Sequence, residues 1–247
     1  MTQNYKFHIS YDGTRYSGWQ NQGNTDATIQ GKLEAVLAKM IGTPVNLIGA
    51  GRTDAGVHAK EMTANAHFDT TRSCTEIRDY MNQYLPQDIC VTDVKEAAER
   101  FHARYNATGK TYQYTCFESP LKPVFDRNFV YCLDKKPSLS LMKQASEYLI
   151  GTHDFKSFCG NPKFRKSTIR TVDSIRIEQH GSYITFTYHG DGFLQNMIRI
   201  LTGTLLEVGY GLRTPESMQE VLANCNRASA GFMAPGCGLC LVQIDYN

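Results

Sequence analysis

No apolar stretch in this sequence reaches the roughly 18 residues that a membrane helix requires. The opening MTQNYKFHIS holds neither the basic nor the apolar run of a secretory leader, so a cytoplasmic protein without membrane contact is expected. An excess of one charge is missing too: 26 Lys plus Arg stand against 24 Asp plus Glu. A net charge of +2 gives too weak a field to steer an anionic partner by itself, so nucleic-acid contacts have to come from a local cluster. Proline and glycine, 8 and 20 of 247 residues, are too sparse for a collagenous or linker-like chain, and short-period repeats are absent. What remains is a globular chain, long enough for one large domain or two modest ones, each able to bury a core.

Eight cysteines could suggest disulfides, but they scatter at 74, 90, 116, 132, 159, 225, 237 and 240 and read as free thiols. Only Cys237 and Cys240 have C-x-x-C spacing. A redox pair wants a helix start to lower a thiol pKa, whereas a strand-like GLCLVQIDY follows here. Zinc would need two further ligands nearby, so the pair reads as structural. The histidines, including His58, His67 and His153, form no close ligand grouping, and no metal is expected.

Alternation of Tyr5, Phe7, Ile9 and Tyr11 predicts a half-buried strand running into an Asp12-Gly13 turn. A helix follows, with Asp26 as N-cap, Ile29, Leu33, Val36, Leu37 and Met40 at helical spacing, and Gly42 as its stop. Val45 to Ile48 reads as strand, then come a glycine-rich loop, a strand-like MTANAHF, and a helix carrying Ile77, Tyr80, Met81 and Tyr84 that Pro86 ends. Strand TYQYTCFE closes a first half, residues 1–119. Three prolines mark 120–137 as a connection. The second half, 138–247, reads as a helix around Leu141 to Leu149, strands VDSIRIEQ and SYITFTYH about a His180-Gly181 turn, helices from about Phe193 to Val208 and Pro215 to Asn224, and a last strand. Two mixed halves of this kind predict an α+β architecture.

The loop GAGRTDAGVHA, Gly49 to Ala59, sets three glycines, an Arg, an Asp and a His in eleven positions. It fits neither G-x-G-x-x-G nor G-x-x-x-x-G-K-[ST], because Gly56 follows Gly51 at the wrong spacing and is itself followed by Val57-His58. Two readings stay open: a flexible backbone that presents the Asp54 carboxylate to a ligand with Arg52 ready for a phosphate, or an Asx turn at Asp54. Asp12-Gly13-Thr14 suggests aspartyl phosphotransfer, but Ser10 occupies the nucleophile's position and the turn reading prevails.

Tyr112 and Tyr114 share a strand face, where such rings serve the core or stack on a base. Arg199 points about 140° from the centre of its helix's apolar stripe, toward solvent or toward a cleft where it would hold a carboxylate ionised. Phe155 to Arg170 carries Lys156, Lys163, Arg165, Lys166 and Arg170 with aromatics at 155, 158 and 164 and no acid among them, a solvated loop or a phosphate-binding patch.

YDGTRYSGWQNQ, TIQ, GAGRTDAGVHA, FHARYNATGKTYQY, GTHDFKSF, GFLQNMIRILTG and APGCGLCL, in this order over nearly the whole chain, resemble the blocks of the tRNA pseudouridine synthases of the anticodon stem-loop, the family named for tRNA positions 38 to 40. One departure is visible: Glu61-Met62 stands where the family commonly has Gly-Gln. The resemblance implies a pseudouridine synthase fold of two ferredoxin-like halves with mostly antiparallel sheet around a central basic cleft. It implies an isomerase that flips a uridine out of the stack, detaches its uracil and rejoins it to ribose through C5, with no cofactor or metal, working as a homodimer on tRNA. Residue by residue, it makes Asp54 the nucleophilic carboxylate, by attack at the sugar C1′ or the base C6. Tyr112 stacks on the uracil and helps remove the C5 proton, Arg52 helps displace the base, and Arg199 pairs with Asp54. A catalytically silent RNA-binding protein of the same fold would also keep the basic patch, but the intact loop together with Tyr112 and Arg199 argues for activity.

Overall fold

The computed structural model describes residues 2–247, and the chain divides into two compact units. The first spans residues up to Thr108 and takes in Leu241–Asn247; the second runs from Gly109 to Cys240. Expected halves of 1–119 and 138–247, joined by 120–137, cut the chain elsewhere. The end of the chain returns to the first unit, an exchange that proline positions do not signal.

In the first unit β1 (Gln3–Tyr11) lies antiparallel to both its neighbours in the sheet, with Tyr5, Phe7, Ile9 and Tyr11 all buried. α1 (Ile29–Ile41) follows, and its first open N–H groups find acceptors outside the helix. Thr28, and not Asp26, is the N-cap: its Oγ1 accepts from Gly31 N at 3.2 Å, a reach that Asp26 is two residues too early to make. Ile29 N and Gln30 N donate to the carbonyls of Gly18 (3.2 Å) and Trp19 (3.0 Å). Gly42 ends the helix at φ 85°, as expected.

The expected strand Val45 to Ile48 shrinks to β2 (Ile48–Gly49). Side chains of α1 take the preceding backbone instead: Leu47 N donates to Glu34 Oε1 at 2.9 Å and Gln30 Nε2 donates to Leu47 O at 3.1 Å, leaving Leu47 nothing to offer a ladder. β3 (His58–Phe68) pairs with β1 and β2, and α2 (Cys74–Tyr84) opens on a capping box of Ser73 and Glu76 and buries Ile77 and Met81. β4 (Ile89–Ala97), unexpected from the sequence, forms the other neighbour of β1. The register shift opposite His8 and Ile9 moves its buried set from Ile89 and Val91 to Val94, which breaks the period of two.

The second unit is also antiparallel apart from one pair. β5 (Ala107–Glu118) has β6 (Tyr131–Leu133) parallel beside it, so the presumed connection contains a short strand. α3 (Leu139–Glu147) and β7 (Gly151–Asp154) precede the hairpin of β8 (Ile169–His180) and β9 (Tyr183–Gly190), giving the order β5-β9-β8-β7. α4 (Met197–Gly209) is buried on nearly every side, with Tyr188 and Thr202 hydroxyls 2.8 Å apart beneath it. It starts later than the expected Phe193 because Asn196 adopts a left-handed conformation, φ 59°. α5 (Ser217–Asn224) and β10 (Leu239–Tyr246) complete the chain, and β10 lies next to β3. Cys74, Cys90, Cys116, Cys132, Cys159 and Cys225 are free thiols. Among the described residues no helix is long and apolar enough to cross a membrane.

Candidate active site

The loop between β2 and β3 is shaped by the segment Tyr11–Trp19, which runs beside it. Trp19 N donates to Thr53 O at 3.0 Å and Gly56 N to Tyr16 O at 3.3 Å, while Ala50 N donates to Thr63 O of β3 at 2.8 Å. Two side-chain links reinforce these: the Tyr11 hydroxyl lies 2.8 Å from Thr53 Oγ1, and Gly13 N donates to His58 Nδ1 at 3.0 Å. The approach is too close for larger residues. A Cβ at Gly13 would run into the Val57 carbonyl oxygen, and one at Gly18, already at φ 100°, would stand 2.5 Å from Thr53 O.

Within this frame Thr53 and Val57 are buried, Asp54 is half-buried and Arg52 is exposed. Val57 N donates to the main-chain oxygen of Asp54 at 3.2 Å, so the turn after Asp54 is closed by backbone. Asp12 forms an Asx turn of its own: its Oδ1 accepts from Thr14 N at 2.9 Å and from Thr14 Oγ1 at 2.5 Å.

The Tyr11–Trp19 segment is anchored in turn by Asp88. Its carboxylate accepts from Arg15 Nε (3.0 Å) and Nη2 (2.5 Å) and from the Tyr16 hydroxyl (2.6 Å), and its main-chain oxygen from Asp12 N (2.9 Å). Partial burial pushes this carboxyl upward, but the hydrogen bonds from Tyr16 and Arg15 prevail and hold it below the usual carboxylate range. Sequence reading overlooked Asp88, Thr53 and Tyr11 as contributors. The density of YDGTRYSGW signals the segment, but nothing signals Asp88, 72 or more residues away from its side-chain partners.

The other two expected residues belong to the second unit. Tyr112 faces Tyr188 across β5 and β9, meets Phe193 edge-on at 5.5 Å, and is 9% exposed. Tyr114, on the same strand face, is fully buried and donates to Pro235 O at 2.8 Å, so this ring belongs to the core. Arg199 is half-buried in the first turn of α4 and not freely solvated: Nε donates to Ala234 O at 2.7 Å and Nη1 to Asn196 Oδ1 at 2.8 Å. Arg52 and Asp54 thus share one loop of the first unit, and Tyr112 and Arg199 belong to β5 and α4 of the second.

In the basic segment, Phe155 and Phe158 are fully buried, while Lys156, Lys163, Arg165 and Lys166 are exposed. The aromatics there anchor the segment and leave its cations outside. Cys237 points its thiol at Val130 O, 3.4 Å away, and burial pushes that thiol's pKa up, consistent with a structural role. At the departure Glu61-Met62, Glu61 Oε1 meets His8 Nδ1 at 2.9 Å and Met62 is buried opposite Ile9, so both residues serve the β1–β3 pair. No group of three or more His, Cys, Asp or Glu placed to hold a metal ion occurs among the described residues.

The sequence pattern of the family described as tRNA pseudouridine synthase matches residues 8–106 and 145–247. Full-length relatives agree. "tRNA pseudouridine synthase A" of Bacillus sp. (strain KSM-64) is 43% identical, over 98% of this chain and 99% of the relative. "tRNA pseudouridine synthase A 1" of Clostridium tetani is 45% identical, over 99% of this chain and 100% of the relative. "tRNA pseudouridine synthase A 2" of Clostridium perfringens is 42% identical, with the same coverage. Among solved structures, a chain in "Crystal Structure of a Cbf5-Nop10-Gar1 Complex" aligns with 96% of this chain and 49% of its own length at 12% identity, with a TM-score of 0.39, too remote to bear on this protein.

Proposed function

Since the chain belongs to the tRNA pseudouridine synthase family, and so is an isomerase that turns uridine into pseudouridine in tRNA, we propose that it acts at positions 38, 39 and/or 40 of the anticodon stem-loop with Asp54 as its nucleophile. The observation that carries this reading is the GRTDAG loop: one half-exposed carboxylate on a backbone held from both sides by the Tyr11–Trp19 segment. Isomerisation breaks the bond between N1 and C1′ and makes one between C5 and C1′. C5 loses a proton and N1 gains one, so no electrons enter or leave and the proposed route uses no cofactor. An ionised carboxylate begins either course, by adding to C1′ or to C6.

Tyr112 is proposed to stack on the target uracil, a contact worth about 1 to 3 kcal/mol, and to help take the C5 proton. Arg52, exposed beside Asp54, is proposed to enter the stem and displace the base. Arg199 is assigned the role that the resemblance gives it, keeping the reacting carboxylate ionised. Flipping a base costs a few kcal/mol, and contacts with phosphates by Lys156, Lys163, Arg165 and Lys166 would offset that cost. The proposal includes a cytoplasmic homodimer, whose paired basic segments would compensate for a net charge of only +2.

The test is to treat transcribed tRNA bearing uridines at 38, 39 and 40 with the protein in the presence of a chelator, and to map pseudouridine by mass spectrometry. Pseudouridine confined to these positions is expected. Modification in another arm of the tRNA would contradict the positional assignment, and loss of activity in the chelator would contradict the metal-free route.

A further inference from the structure

The loop that carries Asp54 is gripped at two side-chain contacts, one on either side of the carboxylate. Immediately before it, Thr53 Oγ1 lies 2.8 Å from the Tyr11 hydroxyl, and both residues are buried. Four residues after it, His58 begins β3, is 4% exposed, and accepts the Gly13 N–H on Nδ1 at 3.0 Å. A backbone N–H can only donate, so Nδ1 is the bare nitrogen in this arrangement. Asp12 Oδ1 lies 3.1 Å from the same nitrogen. His58 thus ties the Asp12-Gly13 turn to the exit of the Asp54 loop.

We propose that Tyr11 and His58 are positioning residues, which aim the Asp54 carboxylate by fixing the loop to the Tyr11–Trp19 segment. This rests on the reading of Asp54 as nucleophile. Neither side chain needs to touch RNA. Their effect reaches the reaction through the loop backbone, where a displacement near 1 Å can cost about 100-fold in rate.

Single-turnover rates with excess protein over tRNA, tRNA Kd and thermal midpoints are to be measured for Tyr11→Phe, His58→Leu, His58→Asn and Asp54→Asn. Asparagine keeps a polar group close to where Nδ1 stands and can accept from Gly13 or donate to Asp12; leucine can do neither. Folded Tyr11→Phe and His58→Leu are expected to slow the single-turnover step about tenfold or more with Kd unchanged, and His58→Asn to recover most of the rate. If His58→Leu does not fold, Tyr11→Phe, which removes one oxygen, carries the test.

Wild-type rates in the folded Tyr11→Phe and His58→Leu variants, a loss explained wholly by Kd, or His58→Asn as slow as His58→Leu would overturn the proposal. Asp54→Asn separates the two readings. If it is inactive while the other variants are unaffected, only the positioning role falls. If it turns over at the wild-type rate, the nucleophile reading falls and takes this one with it.

Discussion

The Asp54 loop and the basic segment 161–168 are both irregular connections between strands, yet they are held in different ways. The first is tied to a distant stretch of chain by backbone bonds from Trp19 and Gly56, by Tyr11 and by His58. The second relies on short-range turns, with Phe164 N on Asn161 O (3.1 Å) and Lys163 N on Asn161 Oδ1 (3.0 Å), and on anchoring at its ends. There Phe155 N donates to Thr168 O at 3.1 Å and Thr168 Oγ1 to Asp154 Oδ1 at 2.5 Å. The contrast matches two demands of the proposed mechanism. A carboxylate that must add to one atom needs fixed geometry, whereas cations that meet phosphates need charge and reach and tolerate slack.

The comparison can be broken first at the carboxylate. Asp54→Asn, whose amide is no nucleophile, is expected to abolish turnover while leaving the melting temperature and tRNA affinity close to wild type. Next in size is Gly13→Ala, whose Cβ collides with the Val57 carbonyl: the loop must move, and a fall in single-turnover rate of about 100-fold is expected with tRNA Kd little changed.

The basic segment should respond the opposite way. Replacing Lys163, Arg165 and Lys166 together by alanine is expected to raise KM about tenfold at unchanged kcat and to flatten the salt dependence of tRNA binding, measured by titration at several ionic strengths. A loss of kcat there would erase the distinction between the two regions.

The smallest effect concerns the anchor. The folded pKa of Asp88 is depressed below the ordinary carboxylate value of about 3.9, so its stabilisation is complete above about pH 4 and is lost as pH falls through the folded value. Urea unfolding between pH 3 and 6 should therefore show a shallower acid limb for Asp88→Asn than for the wild-type chain.

Much of this was legible because its causes are local. Alternating Tyr5 to Tyr11, the helical spacing of Ile29 to Met40 and the αL stop at Gly42 each act within a few residues, and the structure keeps them. The density of GAGRTDAGVHA likewise singled out a loop that the structure shows to be tightly built. The misses have non-local causes. β4 hides because a bulge breaks its alternation, and Val45 to Leu47 leaves the sheet because Gln30 and Glu34 capture Leu47's backbone. Pairs such as Tyr11 with Thr53 and Tyr16 with Asp88 join residues 42 and 72 apart, a separation that no periodicity reports.

The most direct measurement is tritium release from C5-labelled uridine in unmodified tRNA, run in parallel with tRNA binding for the wild-type chain and a folded Asp54→Asn variant. The account predicts release by the wild type and none by Asp54→Asn at equal tRNA occupancy. Release at comparable rates from both would contradict it, because the carboxylate on which the loop's construction converges would then not be the reacting group.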